Sequence, residues 1–227
     1  MKITDVIKDI IASVDSEITV NEVKQLDGSY ELLTCNYKHA TKCSKVSIGE
    51  AIFNITGYSE DGLIVTGDTI PEVGVYTIEP VTFLHGTFIN ANEAMLFMDN
   101  NQIDFNVVAF FVSSPLSETA DYSVSSTLKT SVNVQLLLLK SNNSNDWQPN
   151  DHYTYAIYPM RSLSDLVVEE INDRRGEFNN VDSVSIDNLM DVGIEKTQSK
   201  SLFSYTFSGV VMDFQLPILR THKCCNS

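Results

Sequence analysis

Basic residues are scarce in this chain: 15 Lys and Arg stand against 30 Asp and Glu, a formal charge of -15 over 227 residues. A protein that binds nucleic acid by neutralising phosphates needs the opposite balance, so that class is set aside. The carboxylate surplus can serve solubility, repel DNA or meet a basic partner, and charge alone leaves these open. Long apolar runs are missing as well. Val107–Val112 and Leu136–Leu139 have strand length, far short of the ~20 residues of a membrane-spanning helix. In MKITDVIKDIIASVDSE, Asp5 and Asp9 interrupt the apolar core that a secretory signal requires. Cys35, Cys43, Cys224 and Cys225 are the only cysteines, and without a secretion signal they are expected to be reduced thiols. The sequons at Asn54 and Asn142 carry no meaning in that setting.

Catalytic signatures are absent too. There is no Walker loop, dinucleotide glycine fingerprint, EF-hand or HExxH motif. His39, His85, His152 and His222 are widely separated. Cys35 and Cys43 flank His39 at eight residues apart, which is not a standard zinc spacing, and His222, Cys224 and Cys225 read as a dangling polar end. Asp165, Glu169, Glu170 and Asp173 share a helix; a carboxylate pair for acid–base work is conceivable there, but their position opposite an apolar stripe is that of a solvated face. His152, beside Asp151 and Tyr153, has no serine or cysteine in a nucleophile-elbow context. The expectation is a protein that is not an enzyme, with no catalytic, cofactor-binding or metal residues.

What is present is scaffold. Ile3, Val6, Ile7, Ile10, Ile11 and Val14 recur at helical spacing, giving an amphipathic helix that Asp15-Ser16 closes. From 17 to about 70 the texture changes to five short strands punctuated by Asp27-Gly28, Gly49, Gly57, Asp61-Gly62 and Gly67-Asp68, which predicts a small closed or half-closed barrel of SH3 or OB size. It lacks the basic, aromatic groove of an oligonucleotide binder and reads as a structural module. Residues 71 to 219 read as an α+β domain, two or three helices against a mostly antiparallel sheet, with the first helix packed on it and the barrel inserted. Within it, Pro71–Pro80 reads as a connector with a strand at Val73–Ile78, and Asn90 or Asn92 is expected to cap a helix over Glu93–Met98. Phe105–Val112 and Val132–Leu139 read as buried neighbouring strands, followed by a polar loop at Ser141–Asn150 that holds Trp147. Pro159 is placed in the first turn of a helix ending at Asp173-Arg174-Arg175-Gly176, with a further strand at Val181–Ile186. Ser113–Thr130 is a long Ser/Thr-rich segment without a clear period, read as a projecting hairpin or arm, and 220–227 as a flexible tail. Near the end, Phe203, Tyr205 and Phe207 alternate, and after Ser208-Gly209 the apolar set restarts one residue out of phase at Val210, Met212, Phe214, Leu216 and Ile218. That predicts a long strand kinked at the glycine.

Three segments, FLHGTFINAN (83–92), DWQPNDHYTYAIYPMRSL (146–163) and TFSGVVMDFQLPI (206–218), together resemble segments of structural proteins from tailed phages that infect Bacteroidetes, including the crAss-like group. In that family a His-Gly-Thr follows a strand, a Trp…Asp-His-Tyr…Pro-Met run leads into a helix, and a Ser-Gly-Val strand ends in Leu-Pro-Ile. The resemblance covers most of the C-terminal two-thirds. It implies a tail-terminator-like fold and a virion component of the neck or tail, assembled in the host cytoplasm. It also implies a ring of identical copies in contact with other virion proteins of the neck, portal or tail, with no membrane and no sequence-specific nucleic-acid binding. It transfers no residue-level site. A capsid decoration or receptor-binding module, acting through the barrel or the long loop, is the alternative, with a hydrolase around His152 a distant third.

Overall fold

A computed structural model describes residues 2–103, 106–112, 118–121, 127–142, 147–174, 181, 183–192 and 206–221. The fold is α+β, with two sheets rich in antiparallel pairs. Helix α1 (Ile3–Ser13) comes first and buries Val6, Ile7, Ile10 and Ile11. Seven strands follow: β1 (Glu17–Val20), β2 (Glu22–Leu26), β3 (Ser29–Leu33), β4 (Lys45–Ile48), β5 (Ala51–Tyr58), β6 (Gly62–Thr66) and β7 (Gly74–Ile78). They form one sheet in the order β1-β7-β4-β5-β6-β3-β2. Its two outermost strands are consecutive in the chain, with Asn21 alone between them, so the sheet curls into a nearly closed barrel.

Alternation drives that curl. Ile18 and Val20, Phe53 and Ile55, Leu63 and Val65, and Tyr76 and Ile78 point inward into a core of their own. Tyr76 is fully buried, and its hydroxyl is satisfied inside by donating to the Glu72 carbonyl at 2.7 Å and accepting from the Glu72 amide at 3.1 Å. A buried hydroxyl without such partners would cost stability. Asp27-Gly28 makes the β2–β3 turn, with Gly28 at φ +75°, where a β-carbon is disfavoured. The sequence boundary at residue 70 and the count of five strands need correction. The Gly74–Ile78 strand that looked like a connector pairs with β1 and β4 and belongs to the barrel. Strands of four or five residues carry too little periodicity to be counted without their partners.

The second sheet runs β12-β13-β11-β9-β8, with β10 added on β11. Its strands are β8 (Thr82–Gly86), β9 (Val107–Val112), β10 (Glu118–Asp121), β11 (Thr127–Ser141), β12 (Val184–Val192) and β13 (Phe207–Thr221). β8 and β9 are parallel and are connected through helix α2 (Phe88–Asn100); the other pairs are antiparallel. The cap of α2 is Thr87, whose side chain and that of Asn90 bond reciprocally to each other's backbone. Asn90 is therefore the third residue of the helix and Asn92 lies further in, which corrects the caps read from sequence. The threonine was hidden because it follows directly on a strand.

On the other face lies a helical run of three pieces: α3 (Pro149–His152), a π-helical turn (Tyr153–Ile157) and α4 (Tyr158–Asp173). Pro159 stands in the first turn of α4, as expected, but α3 and the π turn precede it without a break. Proline has no N–H and its ring crowds the carbonyl four residues back. The π turn widens the helix at that point, with the Tyr158 amide donating to the Tyr153 carbonyl. Arg174 ends α4 and ties it to α1, donating to the Asp9 carbonyl at 3.0 Å and the Ser13 hydroxyl at 2.8 Å.

The expected kink at Gly209 is not there. β13 stays in unbroken register with β11 from Phe207↔Ser141 to Thr221↔Thr127. The phase change exists because both faces of the sheet are covered. Phe207 packs under α2, whereas Val210, Met212, Phe214 and Leu216 pack under α1 and α4. The irregularity falls in β12, between Leu189 and Val192. Gly209 is required by close approach instead: a β-carbon there would lie 2.0 Å from the Leu138 carbonyl oxygen. Part of the long Ser/Thr-rich segment is strand, since β10 and the start of β11 pair there; 113–117 and 122–126 lie outside the described residues, as does the tail from 222.

Candidate functional site

The segment between β3 and β4 carries the barrel against the second sheet. Lys38 and Cys43 take positive φ (47° and 70°), and the Asn36 side chain accepts from the Lys38 amide at 2.8 Å. This tight course buries His39, Ala40, Thr41 and Ser44 and leaves Cys35 and Cys43 exposed. The Tyr58 hydroxyl donates to the Ala40 carbonyl at 2.8 Å and the Tyr37 hydroxyl to the Glu60 carbonyl at 3.1 Å, pinning both rings. Tyr58 then stacks on Tyr155 of the π turn, centroids 5.7 Å apart at 18°. Trp147 lies edge-on to both Tyr155 (5.8 Å) and His152 (5.3 Å), and the Lys42 ammonium sits 4.8 Å from the Tyr155 centroid. Aromatic contacts of this kind add to plain burial.

Beside this weld runs a groove with two halves. One, about 320 Å³, is lined by Tyr37, Tyr58, Tyr158, Pro159, Ala40 and Cys35. The other, about 440 Å³, shares Cys35 and Tyr37 and adds Glu22, Glu60 and Asp61. Burial, then the carboxylates of Asp61 and Glu31, hold the Tyr37 hydroxyl above its ordinary pKa. Lys38 pairs with Asp15 across the edge of the groove, and its ammonium holds that carboxyl below the usual range.

Two buried ionisable groups flank the junction. His39 is 1% exposed, and neither ring nitrogen has a hydrogen-bond partner. Burial pushes its pKa down to about 4, with the Lys38 charge acting the same way and Asp15 opposing. Lys140 is pushed down to about 8 by burial. Its ammonium donates to the Ser141 carbonyl at 3.0 Å and lies 3.5 Å from Asn106 Oδ1. Asn106 in turn donates to the Cys43 carbonyl at 2.9 Å and to Glu79 at 3.3 Å, so a polar chain crosses between the sheets.

His152 does meet a serine, which the sequence reading did not foresee. Its Nδ1 lies 2.8 Å from Ser208 Oγ, which also accepts from Asn142 at 2.7 Å. His152 is 3% exposed and Ser208 is fully buried, so this pair anchors α3 to β13. The carboxylates of the acidic helix stand elsewhere: Asp165, Glu169 and Asp173 are exposed, and Glu170 pairs with Arg174 at 2.8 Å. His85 is exposed beside Phe83, 6.1 Å between rings, and His222, Cys224 and Cys225 lie outside the described residues. Among the described residues, no three His, Cys, Asp or Glu side chains converge at metal-ligand distance. The groove itself was missed because its residues come from 21–22, 33–40, 58–61 and 154–162, and no local motif joins them. The tyrosines just before Pro159 (Tyr153, Tyr155 and Tyr158) were the available signal. No family model, curated protein or solved structure matches the chain.

Proposed function

We propose that the chain is a non-enzymatic structural protein of a tailed phage, one copy in a multimeric ring of the head-to-tail connector or tail through which DNA passes. The observation that carries this reading is the shape of the second sheet. β9 pairs β11 only over Leu136–Lys140, and β12 reaches β13 only up to Phe214. Beyond Asn133 and Gln215, β11 and β13 continue with β10 as a three-stranded arm. Past Val132 and Leu216, the last pair buried under the helices, its β11–β13 ladder runs five further residues, roughly 17 Å. An arm that runs on beyond its neighbouring strands acquires a purpose when it laps onto a neighbouring copy.

Further support comes from α2. It buries Ala91 and Met95 yet leaves Ile89 71% and Phe97 64% exposed. A helix apolar on opposite sides is suited to burial on both. The charge of -15 suits a wall along which DNA slides without adhering. The three segments that resemble phage structural proteins all fall in the second sheet and its helices, with His152 and Ser208 in contact. The aromatic and acidic groove favours the second reading, a module that binds a partner through the barrel.

Native mass spectrometry together with negative-stain microscopy tests the proposal. The expected result is a closed ring of several 25.3 kDa chains, with Phe97→Asp reducing assembly at least tenfold. A single-chain mass at every concentration up to the highest attainable would remove it.

A further inference from the structure

We infer that the groove between Tyr37, Tyr58 and Tyr158 and the carboxylates Glu22, Glu60 and Asp61 receives the basic segment Arg220–Cys225 of a second copy of this chain. The inference rests on the ring reading and names its contact. Charge complementarity selects the occupant. One half of the groove is ringed by exposed carboxylates and the other by tyrosine faces, a combination that takes a cation beside an extended, less polar stretch. In a chain with only 15 basic residues, Arg220 and Lys223 with His222 form such a segment, Arg-Thr-His-Lys-Cys-Cys.

Reach decides that it must come from another copy. The groove is lined by Thr154, two residues from His152, whose ring touches Ser208 at the start of β13. That places the tyrosine half of the groove within roughly 15 Å of Ser208. Thr221 stands at the far end of the same unbroken strand, thirteen residues on and so about 43 Å away. From Thr221, Lys223 extends at most about 7 Å and Cys225 about 14 Å. Neither closes a gap of roughly 28 Å, so the segment cannot reach the tyrosine half of its own groove and cannot fill both halves there. It can enter a neighbour's, and one tail into one groove is a head-to-tail contact, the kind that closes rings.

The thiols supply the readout. Cys35 is exposed and lines both halves of the groove, and Cys224 and Cys225 follow Lys223 directly. The full chain in a Cys43→Ser background is oxidised with diamide, resolved without reductant and mapped by mass spectrometry. The expected product is an intermolecular disulfide from Cys35 to Cys224 or Cys225, lost in Cys35→Ser. Its yield falls at least fivefold in Lys223→Glu and in Asp61→Lys, and returns to within twofold in the double reversal. Disulfides that join tails only to one another, or a Cys35 linkage indifferent to both reversals, would overturn the inference. Native mass is measured in parallel. A ring without the Cys35 linkage sinks the tail contact and leaves the ring standing, whereas the linkage in open, non-closing oligomers supports the contact and sinks the ring.

Discussion

Acidification should unfold the barrel through a single side chain. His39 sits 1% exposed with both ring nitrogens unpartnered, so its neutral form is the one that the fold accepts. Its pKa is about 4 in the folded chain, against ~6.5 when unfolded. The unfolded chain therefore binds the extra proton first, and stability is lost as pH falls from 6.5 toward 4. The whole window is worth about 3 kcal/mol, and about 2 kcal/mol of it is gone by pH 5. The charged groups near the ring, Lys38 and Asp15, are already paired with each other, and Asp15 titrates below this window. Urea titrations at pH 7, 6 and 5 and constant ionic strength, read alongside the His39 ring proton shifts, measure the loss. His39→Leu removes the titrating group without stranding any hydrogen-bond partner, so its midpoint should change by less than half as much between pH 7 and 5. An equal loss in the variant, or a His39 pKa near 6.5 in the folded protein, would refute the reasoning.

Gly209→Ala drives a β-carbon against the Leu138 carbonyl at 2.0 Å and should cost about 3 kcal/mol or more; Gly57→Ala, whose nearest neighbour is a side-chain methyl at 3.9 Å, should cost about 1 kcal/mol or less, and thermal melts compare them directly. Lys140 has its pKa lowered to about 8, so the folded chain gives up that proton first and stability should rise between pH 8 and ~10.5. Lys140→Met should flatten that rise and add about 1–3 kcal/mol at pH 7, measured by urea unfolding across the alkaline range.

Local pattern carried much of this fold. The spacing of Ile3 to Val14 gave α1 its buried face, and the alternation from Ile18 to Val65 gave the barrel its interior. Val107–Val112 and Leu136–Leu139, apolar on successive residues, announced strands covered on both sides, as α1 and α4 on one face and α2 on the other now make plain. Periodicity within one element reports only that element's own exposure, which is why those readings needed no partner. Tertiary structure decided the rest. It placed Gly74–Ile78 in the barrel, turned an apparent kink at Gly209 into two covered faces, and met His152 with Ser208. It also gathered Tyr37, Tyr58, Tyr158 and Asp61 along one groove from three separate stretches of chain. Contacts between distant residues depend on how sheets curl and which edges meet, and neither composition nor spacing encodes that in any one segment.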